Sequence, residues 1–134
     1  MAVLKYRDET DNRFKELDIS LISKQHTYTA TEKIIGTWLN GKPIYERTLS
    51  FTTPTTAGDI TELNAFAETV DAIINYFGYL TCSAGRVPIP FSNGTTWFAC
   101  IHVTNANHFS WRGNSSSLGA PATICFQYTK KEDN

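Results

Sequence analysis

Cys100, Cys125, His102 and His108 are the side chains of this sequence best suited to covalent or metal chemistry. A cysteine paired with either histidine would supply a thiol nucleophile and its base, provided the fold brought the two within hydrogen-bond reach. Cys100 and His102 stand two residues apart and share one side of a strand, and Cys125 on a neighbouring strand would extend them into a metal set. None of these pairs has the C-x-x-C or H-x-x-H spacing of common zinc sites, so no metal and no other cofactor is expected. With Cys82 the cysteines number three, widely spaced among apolar or small residues, which is the pattern of free thiols in a chain made in a reducing compartment.

Glu32, Glu46, Asp59, Glu62, Glu68 and Asp71 could be paired as in a glycosidase, yet each falls where a solvated strand or loop residue is expected. The sequence holds neither a G-x-S-x-G elbow nor an H-E-x-x-H helix nor a glycine-rich phosphate loop. No catalytic residue is assigned. Binding chemistry is better represented: three Trp and six Tyr offer flat rings with a polar edge, suited to sugar faces or protein interfaces. Trp38 and Trp97 lie in alternating strand interiors and are expected in the core. Trp111 lies in a short strand between polar loops, and with His108, Arg112 and Asn114 it forms the candidate ligand or partner contact.

Strands must position these groups. Eighteen Thr, together with Val, Ile, Phe, Tyr and Trp, dominate the segments between turn signals. Residues 3–7 and 13–19 alternate on either side of the polar run 8–12 and predict a hairpin. Residues 32–39 and 44–51 flank Asn40-Gly41, the dipeptide of a two-residue hairpin turn, with Pro43 at the start of the second strand. Residues 52–58 are loop. From Asp59 onward, apolar residues at helical intervals would allow a helix through to Phe77, but alternation from Thr69 competes with it. The reading adopted is a short helical turn at 60–64 and a strand at 69–81.

Pro88 and Pro90 make 87–91 an edge strand or an extended loop, and Asn93-Gly94 turns the chain into a clear strand at 96–104. A turn at 105–107, a short strand at 109–112, a serine-rich loop at 113–119, a last strand at 122–129 and a polar tail complete the chain. Eight or nine short strands at intervals of about ten residues indicate an all-β fold, an antiparallel β-sandwich of jelly-roll-like kind with at most one short helical turn. Residues 1–27 are expected to form an N-terminal hairpin and connector, and 28–134 the sandwich.

A length of 134 residues suits one core, and 41% hydrophobic against 19% charged residues is too apolar for disorder. No apolar run approaches the ~18 residues of a membrane helix. A net charge of -1 provides no basic field for nucleic acid or anionic lipid, so neither nucleic acid nor membrane is expected as a partner. The opening Met-Ala-Val-Leu-Lys-Tyr-Arg-Asp places charges where a signal peptide needs an apolar stretch, which predicts assembly inside a cell.

Residues 28–48 read Tyr28-Thr29-Ala30-Thr31-Glu32-Lys33-Ile34-Ile35-Gly36-Thr37-Trp38-Leu39-Asn40-Gly41-Lys42-Pro43-Ile44-Tyr45-Glu46-Arg47-Thr48. This resembles a Y-S-T-E-E-x-x-I-G-T-W-x-D-G-K-P-I-Y-x-K-T segment of bacteriophage tail and virion appendage proteins. The closing Phe126-Gln127-Tyr128-Thr129-Lys130-Lys131 is similar to the Q-Y-T-K-T-type strand that ends such domains. Ala30, Lys33, Asn40 and Lys131 depart from the pattern without disturbing the hairpin. The resemblance spans 28–131 and implies a non-enzymatic structural protein of the virion, assembled in the host cytoplasm: a head fibre, tail fibre tip or surface decoration, with host-surface attachment as a further role. Its implied partners are other virion proteins, further copies of the chain in a homotrimer, and a host cell-surface glycan.

Gly36, Trp38, Gly41, Lys42, Pro43 and Tyr45 carry over as structural motif positions, with no catalytic role. Two other readings stand beside this one: a carbohydrate-binding module unconnected with virions, and a small hydrolase. The chain's own Met and the 27 residues before the motif suggest a short complete appendage whose N-terminal hairpin docks onto the particle.

Overall fold

Residues 26–104 and 108–132 are described by the computed structural model, together with the strand course of 5–8 and 13–16. Residues 1–4, 9–12, 17–25, 105–107 and 133–134 lie outside the described residues, and with them the turns expected at 8–12 and 105–107 and the connector expected before residue 28. Strands β1 (Lys5–Asp8) and β2 (Arg13–Glu16) pair antiparallel, Lys5 opposite Glu16, as the N-terminal alternation predicts.

The rest is an all-β sandwich of two packed antiparallel sheets. One sheet has five strands: β3 (Lys33–Thr37), β4 (Pro43–Thr52), β6 (Val70–Cys82), β7 (Gly85–Ile89) and β11 (Pro121–Lys130), in the order β3-β4-β11-β6-β7. The other has β5 (Gly58–Asp59), β8 (Phe91–Ser92), β9 (Phe98–Val103) and β10 (Phe109–Gly113), in the order β5-β10-β9-β8. The closing strand β11 lies between β4 and β6, and β10 lies beside β5, the nested pairing of early with late strands seen in jelly rolls. A helical stretch, 3-10 at Thr61–Leu63 and α at Asn64–Ala67, runs three residues beyond the turn expected, and a further 3-10 turn, Ser115–Ser117, lies within the serine-rich segment expected to be loop.

Between the sheets, Phe51, Leu80, Ile124, Phe126 and Tyr128 face Ile101, Phe109 and Trp111. Phe66 of the helix inserts its ring edge-on against Phe109, Phe126 and Tyr128, while Phe109 and Phe126 stack at 5.5 Å. Each buried aromatic contributes on the order of 1.5–3 kcal/mol through removal from water, and such ring pairs add to this.

The disputed segment 69–81 is strand. β6 pairs along its length with β11 and over its second half with β7, so its backbone groups are satisfied by neighbours and no helix is needed. Two register shifts against β11 change which side chains face inward: Val70, Ile73 and Tyr76 pack on the core, and Ala72 is exposed. Beyond β8, the edge of β9 is closed by Tyr76, whose hydroxyl accepts the Ile101 N–H at 3.2 Å.

The β3–β4 hairpin forms as predicted, Pro43 opening β4, but its turn is one residue wider. Gly41 N–H bonds Trp38 carbonyl at 2.9 Å and Trp38 N–H bonds Lys42 carbonyl at 2.8 Å, enclosing Leu39-Asn40-Gly41. Gly41 takes the left-handed conformation, φ 85°, that this three-residue loop requires, and Asn40 Oδ1 accepts the Lys42 N–H.

Trp38 was expected in the core and is instead 38% exposed. β11 pairs with β4 only from Tyr45 onward, so the hairpin end projects past the sheet and alternation there points at solvent. Lys42 ties this end back through Asp71 at 2.9 Å and the Lys130 carbonyl at 3.3 Å. Tyr45 stacks on Tyr128 beneath the Lys130 ammonium. Gly36 follows the bulge between β3 and β4, with no heavy atom closer than 3.9 Å to where a Cβ would stand.

Candidate functional site

The thiol and imidazole groups separate. On β9, Ala99 and Ile101 point into the core and Cys100 and His102 point outward, placing Cys100 Sγ 3.4 Å from His102 Nε2. On β11, Ile124 and Phe126 point inward, so Cys125 faces outward from the other sheet, under Tyr28 and beside Thr48 and Phe77. The thickness of the sandwich therefore lies between Cys125 and the Cys100–His102 pair, and the three-ligand set is not assembled. Among the described residues no group of three His, Cys, Asp or Glu is placed to hold a metal ion. Burial pushes the Cys100 thiol pKa up, against the pull of Arg112, and burial likewise raises that of Cys125. Both are held as thiols, the less nucleophilic form.

Carboxylates are likewise engaged in the framework. Glu46, on the outer face of β4, is 1% exposed and bonds His26 Nε2 at 2.6 Å and Gln127 Nε2 at 3.0 Å, with Lys33 Nζ at 3.7 Å. Burial opposes its ionisation, but these partners outweigh burial and hold the carboxyl below the usual range. Glu32 accepts a hydrogen bond from Tyr128 and pairs with Lys130 at 3.0 Å, and its pKa is also lowered against the effect of burial.

The four expected contact residues do not converge. Trp111 is wholly buried, its indole N–H donating to Ser117 Oγ at 3.2 Å, so it packs the core and presents no surface to a partner. Arg112, the next residue along β10, points to the opposite side and lies exposed opposite Cys100. His108 is half-buried, Nδ1 3.3 Å from Asp59 Oδ2. Asn114 has a positioning role: with its side-chain amide assigned the orientation that satisfies both neighbours, its oxygen accepts the Trp97 indole N–H at 3.0 Å and its nitrogen donates to the Phe98 carbonyl at 3.1 Å.

Trp97 was expected in the core and stands instead at its margin, half-buried, where Asn114 fixes its ring. Beside it opens a cleft of about 380 Å³, within the size range of small-molecule sites. Ala84, Arg86, Val87 and Pro88 form one wall, from the β6–β7 turn and the edge strand β7; Phe91, Asn93 and Trp97 form the other. Phe91 and Trp97 meet edge-to-face at 5.2 Å and 76°. Asn93 Oδ1 accepts the N–H groups of Thr95, Thr96 and Trp97 and so shapes the wall it belongs to.

Arg86, exposed, lines the cleft and lays its guanidinium 4.9 Å from the centre of the Tyr79 ring on the neighbouring strand β6. The signals for this cleft were local: an edge segment marked by Pro88 and Pro90, then the Asn93-Gly94 turn. Assigning Trp97 to the core concealed it. Searches of protein-family models, of curated proteins and of solved structures find no match to this chain.

Proposed function

We propose that this chain is a non-enzymatic structural protein of a bacteriophage virion, a small appendage or decoration that self-associates and contributes to host-surface attachment. The observation that carries this reading is the β3–β4 hairpin. It bears the segment resembling virion appendage proteins, and it displays Ile34, Ile35, Trp38 and Leu39, exposed by 62, 38, 38 and 93%. Apolar side chains grouped on an edge strand favour association with further protein, because burying them releases water and a free strand edge offers unpaired N–H and C=O groups. The buried Cys125, the half-buried Cys100 and the internally bonded Glu46 and Glu32 support a framework role for the groups that might otherwise react.

The test is detection of the chain by mass spectrometry in purified particles of the phage that encodes it; absence from particles refutes the reading. Light scattering should give three times the monomer mass of 15.0 kDa, falling to that of one chain in Ile34→Lys/Leu39→Lys. A monomer at tens of micromolar refutes the trimer. Deletion of residues 1–20 should abolish incorporation if the N-terminal hairpin docks the chain. The aromatic cleft beside Trp97 favours a second reading, a carbohydrate-binding module outside any particle, which the same particle analysis separates from the first.

A further inference from the structure

The geometry points to the cleft between β7 and the β8–β9 turn as a binding site for an acidic saccharide, one pyranose ring bearing a carboxylate. This rests on the attachment reading above and names the ligand class for it.

Among the described residues, Lys33, Lys42 and Lys130 are paired with carboxylates, and Lys131 is bonded to the Glu68 carbonyl. Arg47 is held by the Ala30 carbonyl and the Phe66 ring. Among the described residues neither Arg86 nor Arg112 has a carboxylate partner, but Arg86 lines this cleft, whose lining residues include no acid. Arg86 lines the cleft, and stacking on Tyr79 of the neighbouring strand β6, outside that lining, restrains its guanidinium, so less rotamer freedom is lost when it binds. A planar fork of donors in that state matches a carboxylate, which it can hold through two parallel hydrogen bonds.

The remaining wall chemistry narrows the ligand further. The Trp97 indole N–H is taken by Asn114, and the Asn93 oxygen by three backbone amides. What these walls offer is therefore apolar surface: the Trp97 and Phe91 rings, Pro88 and Val87. Two rings set at 76° give a flat ligand one face to lie on and one edge to abut. A pyranose has such a C–H-rich face, and in a uronic or sialic acid the carboxylate projects from the rim of the ring. The cleft is open to solvent, so the bound unit can belong to a longer glycan.

The test titrates the full-length chain with sodium glucuronate, sodium galacturonate and N-acetylneuraminate, and with glucose, galactose and methyl glucuronate as neutral counterparts, by saturation-transfer NMR and tryptophan fluorescence. At least one acid should bind at millimolar concentration, about tenfold more tightly than its neutral counterpart. Arg86→Gln should remove that tenfold preference, and Arg112→Gln, changing an exposed guanidinium on the other sheet, should leave it intact. Trp97→Phe keeps an apolar ring in place and should weaken acids and neutral sugars alike.

Equal affinity for acids and neutral sugars overturns the proposal. So does unchanged binding in Arg86→Gln, equal loss in Arg112→Gln, saturation by inorganic phosphate alone, or no binding of any acid at tens of millimolar. Because the measurement uses purified chain, its failure leaves the virion reading to stand on particle analysis. Uronate binding by a chain absent from particles would remove the virion reading and keep the site.

Discussion

Gly78 lies at the middle of β6, opposite Ile124 of β11 on one side and Ile89 of β7 on the other. Its φ is outside the left-handed region, so the requirement for glycine there is one of space. A Cβ built on Gly78 would overlap the Thr123 carbonyl oxygen and stand 2.8 Å from Ile124 Cα and 3.0 Å from the Thr123 carbonyl carbon. All three atoms are backbone of the central strand, and no rotamer change relieves the overlap. Gly78→Ala must therefore force β6 and β11 apart. Overpacking of this kind costs about 1–3 kcal/mol. Weakening the ladder bonds on either side adds roughly 1 kcal/mol for each bond.

The sum, about 3–5 kcal/mol, is a large share of the ~5–15 kcal/mol that stabilises a domain of this size, and lowers Tm by roughly 10–20 °C. Gly36 is the internal control, a glycine in β3 at the edge of the same sheet, with only Ile44 Cδ1 within reach at 3.9 Å. Gly36→Ala should be neutral or stabilising by up to about 1 kcal/mol, since alanine restricts the unfolded chain. Urea unfolding followed by far-ultraviolet circular dichroism measures both. A Gly78→Ala midpoint equal to the parent's, or a larger loss in Gly36→Ala, refutes the reasoning.

Ser117→Ala leaves the buried Trp111 indole N–H without its acceptor and should cost about 1–3 kcal/mol in the same unfolding assay. Asn114→Ala frees the Trp97 ring, with a loss of roughly 1 kcal/mol and a red shift of tryptophan fluorescence as water reaches the indole. Acid should destabilise the sheet through Glu32 and Glu46. Both folded-state pKa values lie below the ordinary 4.5, so the stabilisation is present above that pH and is lost as pH falls through the lowered values. Glu32→Gln or Glu46→Gln should flatten that part of the stability profile, and an unchanged acid limb in both would refute the assignment.

Much of the architecture was legible because alternation and turn chemistry are local. The strands at 96–104 and 122–129, the Asn40-Gly41 hairpin and the edge position of 87–91 all follow from residues within a few positions of one another. Segment 59–81 was ambiguous for a physical reason: the bulges in β6 bring Val70, Ile73 and Tyr76, three apart, to the core, a spacing that also suits a helix. The site was less legible. Alternation sets Trp111 and Arg112 on opposite sides of β10, yet their adjacency in sequence suggested a shared surface. Whether Trp38 and Trp97 are covered depends on where β11 and the opposite sheet end, which is a property of register between distant strands. Arg86 could not be singled out, because its place in the lining of a cleft that holds no acid depends on how β7 and the β8–β9 turn meet.

The position of β11 constrains how the protein is made. While residues 121–130 remain within the ribosome, β4 and β6 have already emerged with their inward edges unpaired, two templates for wrong partners on a nascent chain. The five-stranded sheet can close only as that segment threads between them. Native structure of this sheet should thus accumulate only after residues 121–130 have left the ribosome.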